Sequence, residues 1–196
     1  MKFVLATANP GKIQEMREIL SELGIEFVTR EDLGIEIEVD ETGSTFRENA
    51  LIKAKAICKV SGLPAIADDS GLMVDALGGE PGVYSSSFGG MELDCNGRCE
   101  YLLDKLRGVE QRGAKFVSTI VCAFPDGRVL TAEGECSGTI VTSPRGSNGF
   151  GYDPVFIADG KNQTMAELSR EEKNEASHRG KSLREFAKAV SESCLS

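Results

Sequence analysis

The chain has 196 residues and a formal net charge of −9. This length suits one domain with a sizeable core, or one domain whose two lobes enclose a cleft, and we predict a single domain over residues 1–196. The acidic balance argues against a nucleic-acid strand as partner, because no basic surplus exists to displace counterions. An anionic small molecule stays compatible, since a few basic residues can be gathered locally.

Neither a secretory signal nor a membrane partner is predicted. Met1 and Lys2 lead directly into a strand-like run, and no apolar run is long enough to cross a bilayer. The six cysteines lie mostly within apolar periodic segments, and Cys95 and Cys99 lack the Cys-x-x-Cys spacing of a zinc site. We therefore expect reduced thiols in a cytoplasmic protein.

The first element is a strand over residues 3–7, predicted from its continuous apolar character. Asn9-Pro10-Gly11 breaks it, and an amphipathic helix with Leu23 on its apolar face follows. A strand, a polar turn and a helix direct free backbone N–H groups toward an anion, and Lys12 adds a charge in the first helical turn. An ordinary turn with a solvated lysine explains the pattern equally well. The turn lacks the glycine and hydroxyl of a Walker A loop.

A second strand over residues 25–29 leads into an acidic stretch and then a second helix. Thr45 and Glu48 form a capping box that predicts the helix start, and the helix runs to about Ser61. Asn49 and Lys53 stand four residues apart on one partly apolar face. That position suits either a lysine directed into a site or a lysine that extends past the rim to solvent.

Two adjacent carboxylates, Asp68 and Asp69, end a short apolar run and are followed by Ser70 and Gly71. Adjacent strand side chains point to opposite faces, so the two can share a site only where the strand breaks. Gly71 would permit that break. Two carboxylates at a strand end suit a hard divalent cation beside phosphate oxygens, or one carboxylate acting as a base. A polar turn is the alternative.

The middle of the chain predicts one helix and a β-hairpin. Asp94 is a candidate N-cap for a helix that stops at Gly108. Residues 115–124 predict a long strand, which a Pro-Asp-Gly turn connects to a second strand at 129–135. A separate strand is predicted at 139–142.

The last third carries a glycine-flanked aromatic loop and the single histidine of the chain. Phe150 and Tyr152 stand among glycines, which let the backbone approach a flat ligand and leave an aromatic face free to stack. A bulged hairpin with its aromatics in the core is the alternative. His178 next to Arg179 would by itself be an ordinary surface pair.

Six motifs occur together in one order. They are Thr7-Ala8-Asn9-Pro10-Gly11-Lys12; Glu41-Thr42-Gly43 with Thr45-Phe46 and Glu48-Asn49-Ala50; Ala67-Asp68-Asp69-Ser70-Gly71-Leu72; Pro81-Gly82-Val83-Tyr84-Ser85; Gly149-Phe150-Gly151-Tyr152-Asp153-Pro154; and Ser177-His178-Arg179-Gly180. Each is weak alone, but together they cover the chain almost end to end. The set resembles the inosine triphosphate pyrophosphatase family, which hydrolyses non-standard purine nucleoside triphosphates.

The resemblance implies an α/β fold with a long mixed twisted sheet flanked by helices, two lobes around a central nucleotide-binding cleft, and a homodimer. It assigns the triphosphate to Thr7, Ala8, Asn9, Pro10, Gly11, Lys12 and Lys53, with Ser70 also on substrate. It assigns Mg²⁺ to Glu41, Asp68 and Asp69, with Asp69 as the base that activates water. It assigns the purine to Phe150, Gly151, Tyr152, Asp153, Lys173, His178 and Arg179. Glu41 and Lys173 rest on the resemblance alone.

The expected reaction converts inosine, deoxyinosine and xanthosine triphosphates to monophosphate and pyrophosphate. Hydrogen-bond donors on His178 and Arg179 would select a 6-keto purine over adenine. Two rivals stay open: a pyrophosphatase for pyrimidine or modified nucleotides, and a nucleotide sensor without turnover. Ser147 with Asn148 replaces a Thr-Gly that is common in the family. Ser87 stands where family members commonly have arginine, so the resemblance does not extend to the contacts of that arginine.

Overall fold

The computed structural model describes residues 2–22 and 24–194. Leu23, predicted on the apolar face of the first helix, lies outside them. The helices and strands follow in the order β1 (Lys2–Leu5), α1 (Pro10–Glu22), β2 (Glu26–Thr29), α2 (Phe46–Ser61), β3 (Ala65–Val74), α3 (Cys95–Lys105), β4 (Gly113–Ala123), β5 (Val129–Ile140), β6 (Phe156–Ala158), α4 (Arg170–Ala176) and α5 (His178–Cys194). No helix in this described part is long and apolar enough to cross a membrane.

The strands form a mixed six-stranded sheet in the order β2-β1-β3-β4-β5-β6. β1 pairs in parallel with both β2 and β3, as expected of strands joined through helices, and β5 pairs antiparallel with β6. The predicted mixed α/β sheet is therefore confirmed. The capping box of Thr45 and Glu48 is also confirmed, since both of its hydrogen bonds form at the start of α2.

The chain divides into two compact units, of which unit 1 comprises residues 1–69, 118–134 and 179–196. Its sheet is covered on both faces, because successive residues of β1 alternate between two apolar clusters. Phe3 and Leu5 pack with residues of α1 and α5, whereas Val4 packs with residues of α2. The strands β1, β3 and β4 therefore present one face to α1 and α5 and the other face to α2 in this unit.

Unit 2 comprises residues 70–117 and 135–178 and has its own core. Leu102 of α3 is fully buried there with Phe116 of β4 and Phe156 of β6. The rings of Phe116 and Phe156 meet edge to face, with their centroids 4.7 Å apart. This arrangement is among those that aromatic pairs prefer, because the ring edge is positive and the ring face negative.

Two strand predictions are wrong. β3 continues without a break from Ala65 to Val74, so Gly71 lies inside a strand. β5 runs unbroken from Val129 to Ile140, where two strands were predicted, because its even-numbered residues keep a regular buried alternation through Gly138. In both strands, pairing with neighbours in the sheet outweighs the low strand preference of glycine.

Gly138 yields the first prediction. A Cβ at this position would lie 2.1 Å from the backbone oxygen of Ile157 and 2.6 Å from the ring of Phe156. Gly138→Ala should therefore destabilise the protein by about 1–3 kcal/mol, the usual cost of overpacking. The free energy of unfolding from urea titration measures this effect. Ser137→Ala, on the exposed face of the same strand, should change it by less than about 0.5 kcal/mol. Equal stability of Gly138→Ala and the parent would contradict the close packing of β5 on β6.

Candidate active site

The alternation of β3 sends Asp68 and Asp69 to opposite faces of the sheet in unit 1. Asp68 follows the pattern of Ile66, which packs with residues of α1 and α5, and Asp69 follows the pattern of Ala67, which packs with residues of α2. Because no strand break brings them together, the two carboxylates have separate surroundings and separate partners.

Asp68 lies in a buried ion cluster. Its carboxylate is 3.1 Å from Nη2 of Arg179 and 2.8 Å from Nζ of Lys12. It also accepts a hydrogen bond from the hydroxyl of Ser118 at 2.7 Å. Arg179 forms a second ion pair with Glu15 of α1. The cluster thus balances two carboxylates against two cations, as buried charges require.

The charged groups of this cluster shift one another's pKa values. Burial alone would raise the pKa of Asp68, but Arg179 and Lys12 hold it well below its usual value. Burial lowers the pKa of Lys12 in spite of Asp68. Asp68 and Glu15 raise the pKa of Arg179 against the opposing effect of burial. Asp68 is therefore a carboxylate at neutral pH, with two cations and the Ser118 hydroxyl directed at its oxygens.

On the other face, Asp69 pairs with Lys53 of α2. Nζ of Lys53 lies 2.7 Å from Oδ1 of Asp69 and 2.9 Å from Oε2 of Glu41. Burial raises the pKa of Asp69 to about 6, and Lys53 limits the rise. Burial lowers the pKa of Lys53, but Asp69 and Glu41 outweigh it and raise the value overall. The Glu41 side chain is 44% exposed, so this group of three is open to solvent on one side.

The turn between β1 and α1 is ordered by its own side chains. The backbone N–H of Asn9 donates to the hydroxyl of Thr7 at 3.1 Å, and the backbone N–H of Lys12 donates to the side-chain oxygen of Asn9 at 3.1 Å. Pro10 begins α1, and Ala8, Asn9 and Pro10 are exposed. The predicted strand, polar turn and helix are confirmed, and an exposed segment of the turn stands beside Lys12.

In unit 2, the predicted aromatic loop is built around a buried ion pair. Nζ of Lys173 lies 2.5 Å from Oδ2 of Asp153, and the same oxygen accepts the backbone N–H of Phe150 at 2.8 Å. Nζ of Lys173 also stands 4.9 Å from the centre of the half-buried Phe150 ring. Gly149 makes this packing possible, because it has φ +73° and a Cβ there would lie 2.1 Å from Asp153.

Tyr152 and His178 belong to the packed interior of unit 2. The Tyr152 side chain lies in the core, and its hydroxyl donates to the backbone oxygen of Ser85 at 2.8 Å. The ring of His178 stacks on Phe116, with centroids 4.8 Å apart and 10° between the ring planes. The expectation that Tyr152 offers a free aromatic face is therefore wrong, and Gly151 next to it is half-buried.

The structure also places Arg179 away from its predicted role. Its side chain is 2% exposed and lies between Asp68 and Glu15, so the expectation that its donors face a purine needs correction. Glu15, Ser118 and Ser182 were missed by the sequence interpretation, although the Ser118 and Ser182 hydroxyls lie 2.9 Å apart beside Asp68. A signal for Glu15 existed, because it stands three residues after Lys12 on the buried side of an amphipathic helix.

The carboxylates of unit 1 fit a divalent cation only in part. Glu41 and Asp69 both direct an oxygen at one ammonium, Nζ of Lys53, which stands in for a cation between them. The contacts of Asp68 are instead with Lys12, Arg179 and Ser118. No group of three or more histidine, cysteine or acidic residues suited to a metal occurs within residues 2–22 and 24–194. Two carboxylates still suit Mg²⁺, which is commonly held by one or two carboxylates together with phosphates and water.

Comparison with known proteins gives concordant matches. The model of the Ham1 family matches residues 3–189. A dITP/XTP pyrophosphatase of Thermus thermophilus is 50% identical over 191 residues, covering 96% of this chain and 91% of the relative. The dITP/XTP pyrophosphatase of Bacillus subtilis is 44% identical over 189 residues, covering 95% and 96%.

Solved structures agree with these sequence matches. The Ham1 protein of Staphylococcus aureus has a TM-score of 0.88 and 38% identity, covering 98% of this chain and all of that one. A HAM1 protein of Coxiella burnetii has a TM-score of 0.88 and 40% identity, covering 98% and 99%. The matches confirm the predicted family and fold class.

The two aspartates provide a matched test of the ion cluster. Asp68→Asn keeps the shape of the side chain but leaves half-buried Lys12 without its carboxylate and buried Arg179 with Glu15 alone, so it should cost about 3–5 kcal/mol of unfolding free energy. Asp69→Asn should change that free energy by less than about 1 kcal/mol, because Lys53 keeps Glu41 and is partly open to water. Urea denaturation followed by circular dichroism measures both. A similar loss in the two variants would contradict the assignment of Asp68 as the buried anchor.

Proposed function

This chain belongs to the Ham1 family, and from that premise we propose that it hydrolyses non-standard purine nucleoside triphosphates to monophosphate and pyrophosphate. The observation that carries the proposal is the pairing of Lys53 with both Asp69 and Glu41, together with Lys12, whose charge acts on Asp69 and Lys53 within unit 1. Cations for a triphosphate thus stand beside carboxylates for a cation and for water. The dITP/XTP pyrophosphatase activity named for relatives at 44% and 50% identity supports the substrate class.

We assign the triphosphate to the segment Thr7–Lys12 with Lys53, and a further substrate contact to Ser70. The exposed turn at the start of α1 suits an anion, because a helix N-terminus carries a partial positive charge and Lys12 adds a cation beside it. Lys12 is held by Asp68 at one edge of this turn. The buried cluster of Asp68, Arg179 and Glu15 therefore acts by positioning Lys12, which makes Arg179 a positioning residue in this proposal.

Asp69 is the proposed general base. It would take a proton from water as the water oxygen bonds to the α-phosphorus and the bond to the bridging oxygen breaks, releasing pyrophosphate. Lys12 and Lys53 would hold the triphosphate in line for this attack and offset the charge that develops on the leaving group. Fixed charges of this kind supply much of the acceleration in phosphoryl transfer.

Glu41 and Asp69 would hold the divalent cation, for which we propose Mg²⁺. When bound, such a cation neutralises charge on the phosphate oxygens of substrate and leaving group. The convergence of both carboxylates on a single ammonium supports this pair. Asp68 was predicted as a third ligand, but its contacts with Lys12, Arg179 and Ser118 favour a structural role.

For the purine we propose the segment Phe150–Asp153 with Lys173 and His178. Lys173 is a buried donor fixed by Asp153 beside a half-buried aromatic ring. The 6-keto oxygen of hypoxanthine or xanthine accepts a hydrogen bond from such a donor, whereas the 6-amino group of adenine presents a second donor to it. Contacts at Gly151 and Tyr152 would come from the backbone, since the Tyr152 side chain is in the core.

The motifs that resemble inosine triphosphate pyrophosphatases also support three further proposals. These are a single domain over residues 1–196, a homodimer, and a cytoplasmic location. Size-exclusion chromatography with light scattering tests the dimer directly.

Pyrophosphate release across a panel of triphosphates tests the function. With Mg²⁺, inosine, deoxyinosine and xanthosine triphosphates should exceed adenosine triphosphate in kcat/KM by a factor on the order of 10⁴, the discrimination that unpaired buried donors can give. Guanosine triphosphate should also have a low kcat/KM. Guanine shares the 6-keto group, so its rejection must come from contacts around C2 of the base. Lys173→Met should narrow the lead of inosine over adenosine triphosphate.

Lys161→Met is the control, because it removes the same charge from an exposed position of unit 2. It should leave the ratio unchanged. Turnover of pyrimidine triphosphates above all purines would overturn the substrate class, and binding without pyrophosphate release would indicate a sensor.

The general base is tested by Asp69→Asn. Turnover of inosine triphosphate should fall about 10²–10⁴-fold, the usual contribution of general-base catalysis, while nucleotide affinity changes little. Steady-state pyrophosphate release and calorimetric titration with an α,β-methylene analogue measure the two quantities. A variant that keeps turnover within a few-fold of the parent would move the role to another carboxylate.

A further inference from the structure

Lys53 occupies the position that the proposed cation needs. Its ammonium lies 2.7 Å from Oδ1 of Asp69 and 2.9 Å from Oε2 of Glu41. A divalent cation would bind lone pairs of the same two carboxylates. The ammonium occupies one oxygen of each carboxylate and offsets their negative charge, so it competes with the cation for this pair.

We infer that Lys53 exchanges partners during substrate binding, and that this exchange couples the divalent cation to the triphosphate. Before substrate binds, Lys53 neutralises Glu41 and Asp69 and so weakens their affinity for a free cation. When triphosphate and cation arrive, Lys53 gives up the carboxylates and pairs with phosphate oxygens. The inference rests on the proposed function, since it uses the same carboxylates and the same substrate class.

The surroundings of Lys53 allow this movement. Its backbone is fixed in α2, but its side chain is 13% exposed and has a flexible four-carbon stem. Glu41 lies in the segment between β2 and α2, outside any helix or strand, and its side chain is 44% exposed. The ammonium can therefore leave the carboxylates without disturbing the core of unit 1.

Lys12 provides the contrast. Its ammonium lies 2.8 Å from the Asp68 carboxylate and 3.4 Å from the Asp68 backbone oxygen. Asp68 is itself held by Arg179 and Ser118. Lys12 thus serves as a fixed charge, and Lys53 is the lysine that exchanges. A Lys12 variant removes one positive charge from the same unit without freeing Glu41 or Asp69.

The consequence is a coupling between two ligands that can be measured without turnover. If Lys53 exchanges, the nucleotide should raise the affinity for the cation, and the cation should raise the affinity for the nucleotide by the same factor. If Lys53 stays on the carboxylates when the nucleotide binds, the nucleotide should raise the cation affinity by the same factor in the parent and in a variant without the Lys53 charge.

The experiment measures Mn²⁺ binding by electron paramagnetic resonance of the free ion, with and without the α,β-methylene analogue of inosine triphosphate. In the nucleotide-free protein, Lys53→Met should bind Mn²⁺ at least about tenfold more tightly than the parent, as expected for a close charge pair. Lys12→Met should gain clearly less. The analogue should raise Mn²⁺ affinity strongly in the parent and much less in Lys53→Met.

An equal gain in the two lysine variants, or no gain in Lys53→Met, would overturn the exchange. Lys53→Gln, which keeps a polar head without the charge, should behave as Lys53→Met does, and a circular dichroism melt checks that each variant is folded. Pyrophosphate release by the parent enzyme tests the proposed function separately. An active parent without the Mn²⁺ effect would discard the exchange alone, whereas a parent without turnover would discard the function.

Discussion

The alternation of β3 is the constraint on which the candidate site depends. Because successive strand side chains point to opposite faces, Asp68 meets the helices α1 and α5 and Asp69 meets α2. Two neighbouring carboxylates thereby acquire different chemistry. Asp68 is enclosed by Lys12 and Arg179, and Asp69 shares Lys53 with the exposed Glu41. A break in the strand would have merged these environments and removed the difference between them.

On the face of β3 that carries Asp68, buried carboxylates and cations balance one another. Asp68 and Glu15 stand against Arg179 and Lys12, with Ser118 donating a further hydrogen bond. Such a cluster adds little net stability, since the cost of desolvation offsets the attraction. The cluster does fix the relative positions of β3, α1 and α5. The position of Lys12 beside the turn of α1 follows from these contacts, so a structural cluster sets the geometry of the proposed phosphate contact.

Unit 2 also contains a buried carboxylate that orders the groups around it. Asp153 binds the ammonium of Lys173 and the backbone of Phe150, so one carboxylate orders both a cation and an aromatic ring. Gly149 is required because any side chain would collide with Asp153. In the proposed function, a positioned donor beside an aromatic ring discriminates purines through unpaired polar groups, which penalise a wrong base far more than lost apolar contact does.

The sequence by itself determined the class of the fold, the capped start of α2, the turn that opens α1 and, through six ordered motifs, the family. These features depend on residues close together in the chain, where periodicity, capping and turn chemistry act locally. The unbroken course of β3, the burial of Arg179 against Glu15 and the place of Tyr152 in the core were decided by tertiary structure. Each depends on residues far apart in sequence, 164 positions for Arg179 and Glu15, and on the burial that their contact creates. Only the folded chain shows which charge lies opposite which, because the free energy of a buried ion depends on the partners that surround it.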